Sequence, residues 1–291
     1  MTELPCIGKK YGLVVKLSWE LIIVIMITGA VMNRKILNIL RILAILVCIG
    51  VIIYEAVHLY NDQKEYDIAD DEYEEIRQEM ANWPGAEDES QVVDYPLLNI
   101  DFEGLENINP DFVAWIYFPC LDLSYPVVQE NEVDEYIHLT FDKTVNKAGC
   151  IFEDVLSDPD FKGMHDIVFG HNMRDTSMFG KLKYLYQKKD EDLLASNPYV
   201  YIYAKDYVFE YRVFGYYITK VGSEAYKVVN TSETYDEFLD YIKLHSAYKM
   251  AVEPDFSERP SLLTLSTCSG ASGSGKRFVV HTYKTRAWNR Q

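Results

Sequence analysis

Hydrophobic and polar positions divide the chain into three regimes. In the first, apolar residues come in blocks. Leu21–Met32 is a short run behind Lys16 and Glu20; Ile36–Leu59 is longer and broken only by Asn38, Arg41, Glu55 and His58. A bilayer span needs roughly 20 apolar residues. The first run is short for that, and the second, with its uncharged core Ile42–Tyr54, predicts one transmembrane helix. In the second regime, Asp67–Met80 has helical character, with Ile68, Tyr73, Ile76 and Met80 loosely on one face, and Trp83-Pro84-Gly85 predicts its end. From about residue 110, short aromatic and β-branched runs alternate with turn residues. Strands are predicted near Phe112–Phe118, Leu123–Val128, Cys150–Glu153, Asp166–Gly170, Tyr199–Tyr203, Tyr207–Thr219, Ser261–Thr267 and Arg277–Tyr283. Helices are predicted at Met178–Gln187 and Thr234–Ser246, the latter with Ser232 as N-cap and a stripe of Tyr235, Phe238, Leu239 and Ile242. Eight strands with a few inserted helices make a mainly β fold, one closed or nearly closed barrel behind an N-terminal helical segment.

Charge places these parts. The 291 residues carry a formal net charge of −17, yet residues 1–60 are net +3 and residues 61–100 alone are net −11. That balance argues against nucleic-acid binding, which needs clustered Lys and Arg. Arg34, Lys35 and Arg41 at the front of the long apolar run keep that end cytoplasmic and put the body outside. No small-x-small cleavage site follows, so the span reads as an uncleaved signal anchor. Met32-Asn-Arg-Lys has the form of a natural start. Residues 1–31 are then an over-extended N-terminus, or an extra apolar segment making a two-pass hairpin; the rest divides into an anchor at 32–60, an acidic helical spacer at 61–100 and the barrel at 101–291. The expected location is the cell membrane, with the barrel extracellular.

Candidate chemistry is sparse. The five cysteines are widely spaced with no CxxC pair, which argues against zinc or thioredoxin-type motifs. Cys120 and Cys150 read as turn and buried-strand residues, with a disulfide between them left open. Cys268 ends an apolar run and precedes the small, flexible Ser269–Gly275, with Lys276 and Arg277 beyond. A thiol at a strand end near cations is a candidate nucleophile, because the thiolate is the reactive form; on position alone an ordinary strand-end cysteine is the commoner meaning. Among six histidines, His171 follows a strand and a glycine and so stands at a barrel rim, whereas His281 lies mid-strand, where a packed core role is usual. Together, Cys268, His171 and Arg277 have the residue types for nucleophile, proton shuttle and oxyanion stabiliser.

Thr264-Leu265-Ser266-Thr267-Cys268, followed by Arg277-Phe278-Val279-Val280-His281, resembles the active-site end of a sortase, of class B in particular. Phe169-Gly170-His171-Asn172-Met173 resembles that class's histidine segment. Phe112-Val113-Ala114-Trp115-Ile116, Pro126-Val127-Val128-Gln129 and Gly149-Cys150-Ile151-Phe152-Glu153-Asp154 add to the likeness, which covers roughly residues 65–288. The resemblance implies an eight-stranded sortase barrel on a Gram-positive membrane and a cysteine transpeptidase. Carried over by motif, Cys268 attacks the Thr carbonyl of an Asn-Pro-x-Thr-x-like sorting signal, His171 protonates the leaving amine, and Arg277 holds the oxyanion. Phe169, Ser266 and Thr267 are the implied substrate contacts. No metal or other cofactor is implied. The implied partners are sorting-signal-bearing surface proteins and an amine, from a lipid II-type peptidoglycan precursor or from a pilin Lys. Ser269 and the Gly/Ser-rich stretch after it depart from the class pattern. An L,D-transpeptidase would want its Arg almost directly after the Cys, a simple cysteine protease would use water, and an inactive wall-binding barrel would have little use for Cys268, His171 and Arg277 together.

Overall fold

The computed structural model describes residues 34–83, 95–96, 98–187, 192–270 and 273–290. The run Leu21–Met32, the Pro84-Gly85 break and Ala271-Ser272 of the small-residue loop lie outside them. Helix α1 (Arg34–Met80) is unbroken for 47 residues. Most of its apolar side chains from Ile36 to Leu59 stand exposed and none is buried, whereas Ala69, Tyr73 and Ile76 are buried. The boundary drawn at residue 60 therefore falls inside one helix, and the acidic segment is more than a solvated spacer. Residues 69, 73, 76 and 80 recur at the 3.6-residue period and form the docking stripe. Ile68 is one position off that stripe and stays exposed. The docking is specific. Tyr73 donates to the Gly149 carbonyl at 2.7 Å, Asn146 donates to the Glu65 carbonyl at 2.9 Å, and Lys147 bridges Asp62 and Glu65 at 2.7 and 3.0 Å.

A two-stranded ribbon of β1 (Ala81–Asn82) and β2 (Asn99–Ile100) and the short helix α2 (Phe102–Ile108) lead into the barrel. Its strands are β3 (Phe112–Phe118), β4 (Leu123–Gln129), β5 (Ile151–Glu153), β6 (His165–Phe169), β7 (Tyr199–Ala204), β8 (Tyr207–Lys220), β9 (Leu262–Cys268) and β10 (Lys276–Asn289). They close in the order β10-β8-β7-β3-β4-β5-β6-β9. Two neighbours are parallel, β4 with β5 and β6 with β9; the others are antiparallel. All eight expected strands are present, and β10 runs past Tyr283 because its second half pairs with the start of β8. The segment expected as one helix from Met178 is a 3-10 turn at Gly180–Lys183 followed by the single-turn helix α3 (Tyr184–Gln187). A second single-turn helix, α4 (Leu193–Ser196), precedes β7.

Alternation along β9 and β10 separates two packed layers. Leu263, Leu265, Phe278 and Val280 point into the barrel core. Leu262 and Val279 point outward beneath α5 (Ser232–His245) and meet Tyr235, Phe238, Leu239 and Ile242. The N-cap of α5 is Thr231, not Ser232. Thr231 is the extended residue, and it exchanges capping-box hydrogen bonds with Thr234.

Candidate active site

The outer face of β6, β9 and β10 carries the candidate chemistry. Ser266 and Cys268 share this face by alternation. In the β9–β10 register Arg277 lies directly opposite Cys268, which places both side chains on one side of the sheet. On the other flank of β9, Phe169 of β6 pairs with Ser266. His171 follows two residues later at the rim. Phe152, Phe169, Gly170, His171, Ser266, Thr267, Cys268 and Arg277 line one narrow pocket, so all six residues singled out from the sequence come together there.

Hydrogen bonds tie the histidine segment to the cysteine strand. Gly170 N–H donates to the Ser266 carbonyl at 3.1 Å, Thr267 Oγ1 donates to the Gly170 carbonyl at 2.8 Å, and Asn172 Nδ2 donates to the Cys268 carbonyl at 2.8 Å. The Thr267 hydroxyl is thus engaged within the barrel wall. Gly170 is required here, since a Cβ would lie 2.5 Å from Ile151 Cδ1 and 2.7 Å from Phe179 Cγ.

The imidazole of His171 is oriented from behind. Its Nε2 lies 2.8 Å from the Ile137 carbonyl. A carbonyl only accepts, so Nε2–H donates, and in the neutral ring Nδ1 keeps the lone pair. Gly149, at φ +62°, leaves room for this; a Cβ there would stand 2.5 Å from that carbonyl oxygen and 3.0 Å from His171 Cδ2. Burial pushes the His171 pKa down to about 4, opposed by the Ile137 carbonyl and reinforced by His138 and Arg277. The ring is therefore neutral at pH 7. Arg277 is only 4% exposed, and its Nη1 donates to the Lys276 carbonyl at 3.2 Å.

Cys48, Cys120, Cys150 and Cys268 are all outside disulfides. Burial pushes the thiols of Cys120 and Cys150 up to about 12, which keeps both protonated and unreactive at neutral pH. The Cys120–Cys150 pairing left open by the sequence is not formed.

Three neighbours escaped sequence reasoning. Phe152 was read only as a buried strand residue, yet it stacks on Phe169 at 5.4 Å between centroids. Asn172 had a signal in its place beside His171. Tyr226 had none. Its ring stacks on Phe169 at 6.0 Å and 14°, and its hydroxyl shares a 2.9 Å hydrogen bond with Ser266 Oγ. Phe152, Phe169 and Tyr226 make a continuous aromatic wall beside the pocket.

Comparison with known proteins agrees with this geometry. The Sortase domain family model matches residues 116–285, a stretch that enters all eight barrel strands. Sortase B of Staphylococcus aureus is 30% identical over 223 residues, covering 72% of this chain and 85% of that protein. Sortase B of Listeria monocytogenes is 30% identical over 171 residues, covering 58% and 67%. The crystal structure of Clostridium perfringens sortase B superposes with a TM-score of 0.58 at 29% identity, covering 64% of this chain and all of that one. A family model that matches most of the barrel, a fold shared with solved sortase B structures and 30% identity over most of two relatives make this chain a member of the sortase family of cysteine transpeptidases, in class B.

Proposed function

We propose that the chain is a membrane-anchored transpeptidase that cleaves a C-terminal sorting signal after Thr and passes the acyl group to an amine of a peptidoglycan precursor. Cys268 Sγ attacks the Thr carbonyl while its proton moves to Nδ1 of His171. Arg277 stabilises the oxyanion. The S–C bond has then formed; the C–N bond breaks as His171 returns the proton to the leaving amine, and a thioester remains on Cys268. The acceptor amine attacks that thioester, its proton passes through His171 to the departing thiolate, and a new amide is released. The observation that carries this reading is the β9–β10 register. It sets a permanently charged planar donor beside the only described cysteine in the pocket, and such a donor suits a developing oxyanion.

The anchor is the front half of α1, the one helix among the described residues long and apolar enough to cross a membrane. With Arg34, Lys35 and Arg41 at its front, the body lies outside the cell. The expected signal is Asn-Pro-x-Thr-x. The test is a ligation assay on the full chain in detergent micelles, with a panel of such peptides alone, with triglycine, or with a Lys-bearing peptide. Amine-dependent ligation at Thr supports the transpeptidase. Ligation to the Lys peptide alone would indicate pilin polymerisation, and hydrolysis unaffected by amines would refute acyl transfer.

A further inference from the structure

The outer face that carries Cys268 and Arg277 continues, away from the pocket, into a second polar group beneath α5. Two residues before Ser266 lies Thr264; opposite it on β10 is His281, and on β6 the same face carries His165. Thr264 is fully buried and His281 is 1% exposed. His165 Nε2 is 2.8 Å from Thr264 Oγ1, which is 2.8 Å from His281 Nδ1. At the other end, His165 Nδ1 is 3.2 Å from the carbonyl of Lys227.

Chemistry fixes the direction of every hydrogen in this chain. The Lys227 carbonyl can only accept, so His165 Nδ1–H donates and its Nε2 is an acceptor. The Thr264 hydroxyl must then donate to His165, and its oxygen accepts from His281 Nδ1–H. This arrangement needs the His165 ring neutral, and burial favours that, holding it at about 4; burial also holds His281 well below the usual histidine range. The rings are also wedged, His165 against Phe238 of α5 at 4.4 Å and His281 against Tyr217 at 5.1 Å.

The chain ends next to the substrate groove. Lys227 directly follows Tyr226, the last residue of the Glu224–Tyr226 turn. The backbone N–H groups of that turn bond only locally, Tyr226 N–H to Ser223 and Lys227 N–H to Glu224, while Ala225 is buried under α5 and Lys227 Nζ pairs with Glu237 of α5 at 2.5 Å. We propose that His165, Thr264 and His281 are positioning residues for the sortase reaction. They hold the Lys227 carbonyl and thereby keep Tyr226 against Ser266 and Phe169 as one wall of the groove. The inference rests on the transpeptidase reading for its kinetic arm only.

The first test does not depend on turnover. Nitrogen-15 NMR of the imidazoles at pH 7, on the full chain in micelles, should show His165 and His281 as neutral Nδ1–H tautomers, and His165→Phe should shift the ring resonances of Tyr226. An Nε2–H tautomer at His165, or an unmoved Tyr226, overturns the proposal. The kinetic arm uses a fluorogenic Asn-Pro-x-Thr-x peptide. His165→Phe and Thr264→Val should raise KM about threefold to tenfold, the range one net hydrogen bond converts to, while kcat and the alkylation rate of Cys268 by iodoacetamide stay within about twofold. Thr264→Ser, which keeps the hydroxyl, should restore the wild-type KM even if His165→Phe folds poorly. In a Tyr226→Ala background, His165→Phe should add nothing. Equal losses in kcat and alkylation, or additive effects of the two substitutions, would mean a general core role instead. A wild-type chain that processes no peptide would remove the transpeptidase reading and leave the NMR result to decide this one.

Discussion

A guanidinium at 4% exposure has left water, and an unpaired buried charge is costly. Arg277 has the Lys276 carbonyl on one Nη1 donor and lies opposite Cys268; in the proposed mechanism its remaining donors hold the oxyanion. Arg277→Lys keeps the charge and loses the fork, so kcat/KM should fall by about 10²–10³, the usual effect of losing an oxyanion donor. A near wild-type value would make the arginine structural. His171 yields a pH prediction. Its pKa, held down to about 4 by burial, is near 6.5 in an unfolded chain. The neutral ring therefore contributes stability that is complete above pH 6.5 and is lost as pH falls toward 4. Measured by denaturant titration, wild type should lose about 2 kcal/mol relative to His171→Gln between pH 7 and pH 4.5. A pH-independent difference would contradict the assigned neutral, Nε2–H-donating ring.

At the scale of elements, three hydrogen bonds join the segment after β6 to β9: Gly170 N–H to Ser266, and the side-chain bonds Thr267 to Gly170 and Asn172 to Cys268. They tie the backbone on either side of His171 to the strand that ends at Cys268. Asn172→Ala should cut kcat by about tenfold or more with little change in KM, because small misplacements of reacting groups are expensive; a loss confined to KM would assign Asn172 to substrate binding instead. The strands were legible because each buries one or both faces of a barrel, so inward Leu263 and Leu265 alternate with Ser266 and Cys268 in the plain text of the chain. The stripe of α5 was legible for the same reason, although its cap was displaced by one residue, since Thr231 and Ser232 both have a capping hydroxyl. Tyr226 was illegible. Its turn has no periodicity, and its partner Ser266 lies 40 residues further on. The His165–Thr264–His281 chain was hidden likewise, because three strands must pair before those side chains meet.

Across the whole molecule, α1 links a front half long and apolar enough to cross a membrane to the wall of the site. Tyr73 on its rear half donates to the carbonyl of Gly149, the glycine packed against His171. The apolar front half and the helical character of the acidic stretch were legible in the sequence, but a continuous docking helix depends on contacts with residues 146–149, far along the chain. Tyr73→Phe removes one buried hydrogen bond, worth about 1 kcal/mol, and should lower Tm by about 2–4 °C; an unchanged Tm would mean that the helix does not brace the barrel there. In the proposed mechanism this barrel carries an acyl group on Cys268. Intact-protein mass spectrometry of the full chain, mixed with an Asn-Pro-x-Thr-x peptide without added amine, tests it most directly. The expected result is a mass increase equal to the peptide segment ending at Thr, located on Cys268, discharged by hydroxylamine and missing in Cys268→Ala. The same adduct persisting in Cys268→Ala, or residing on another residue, would contradict it.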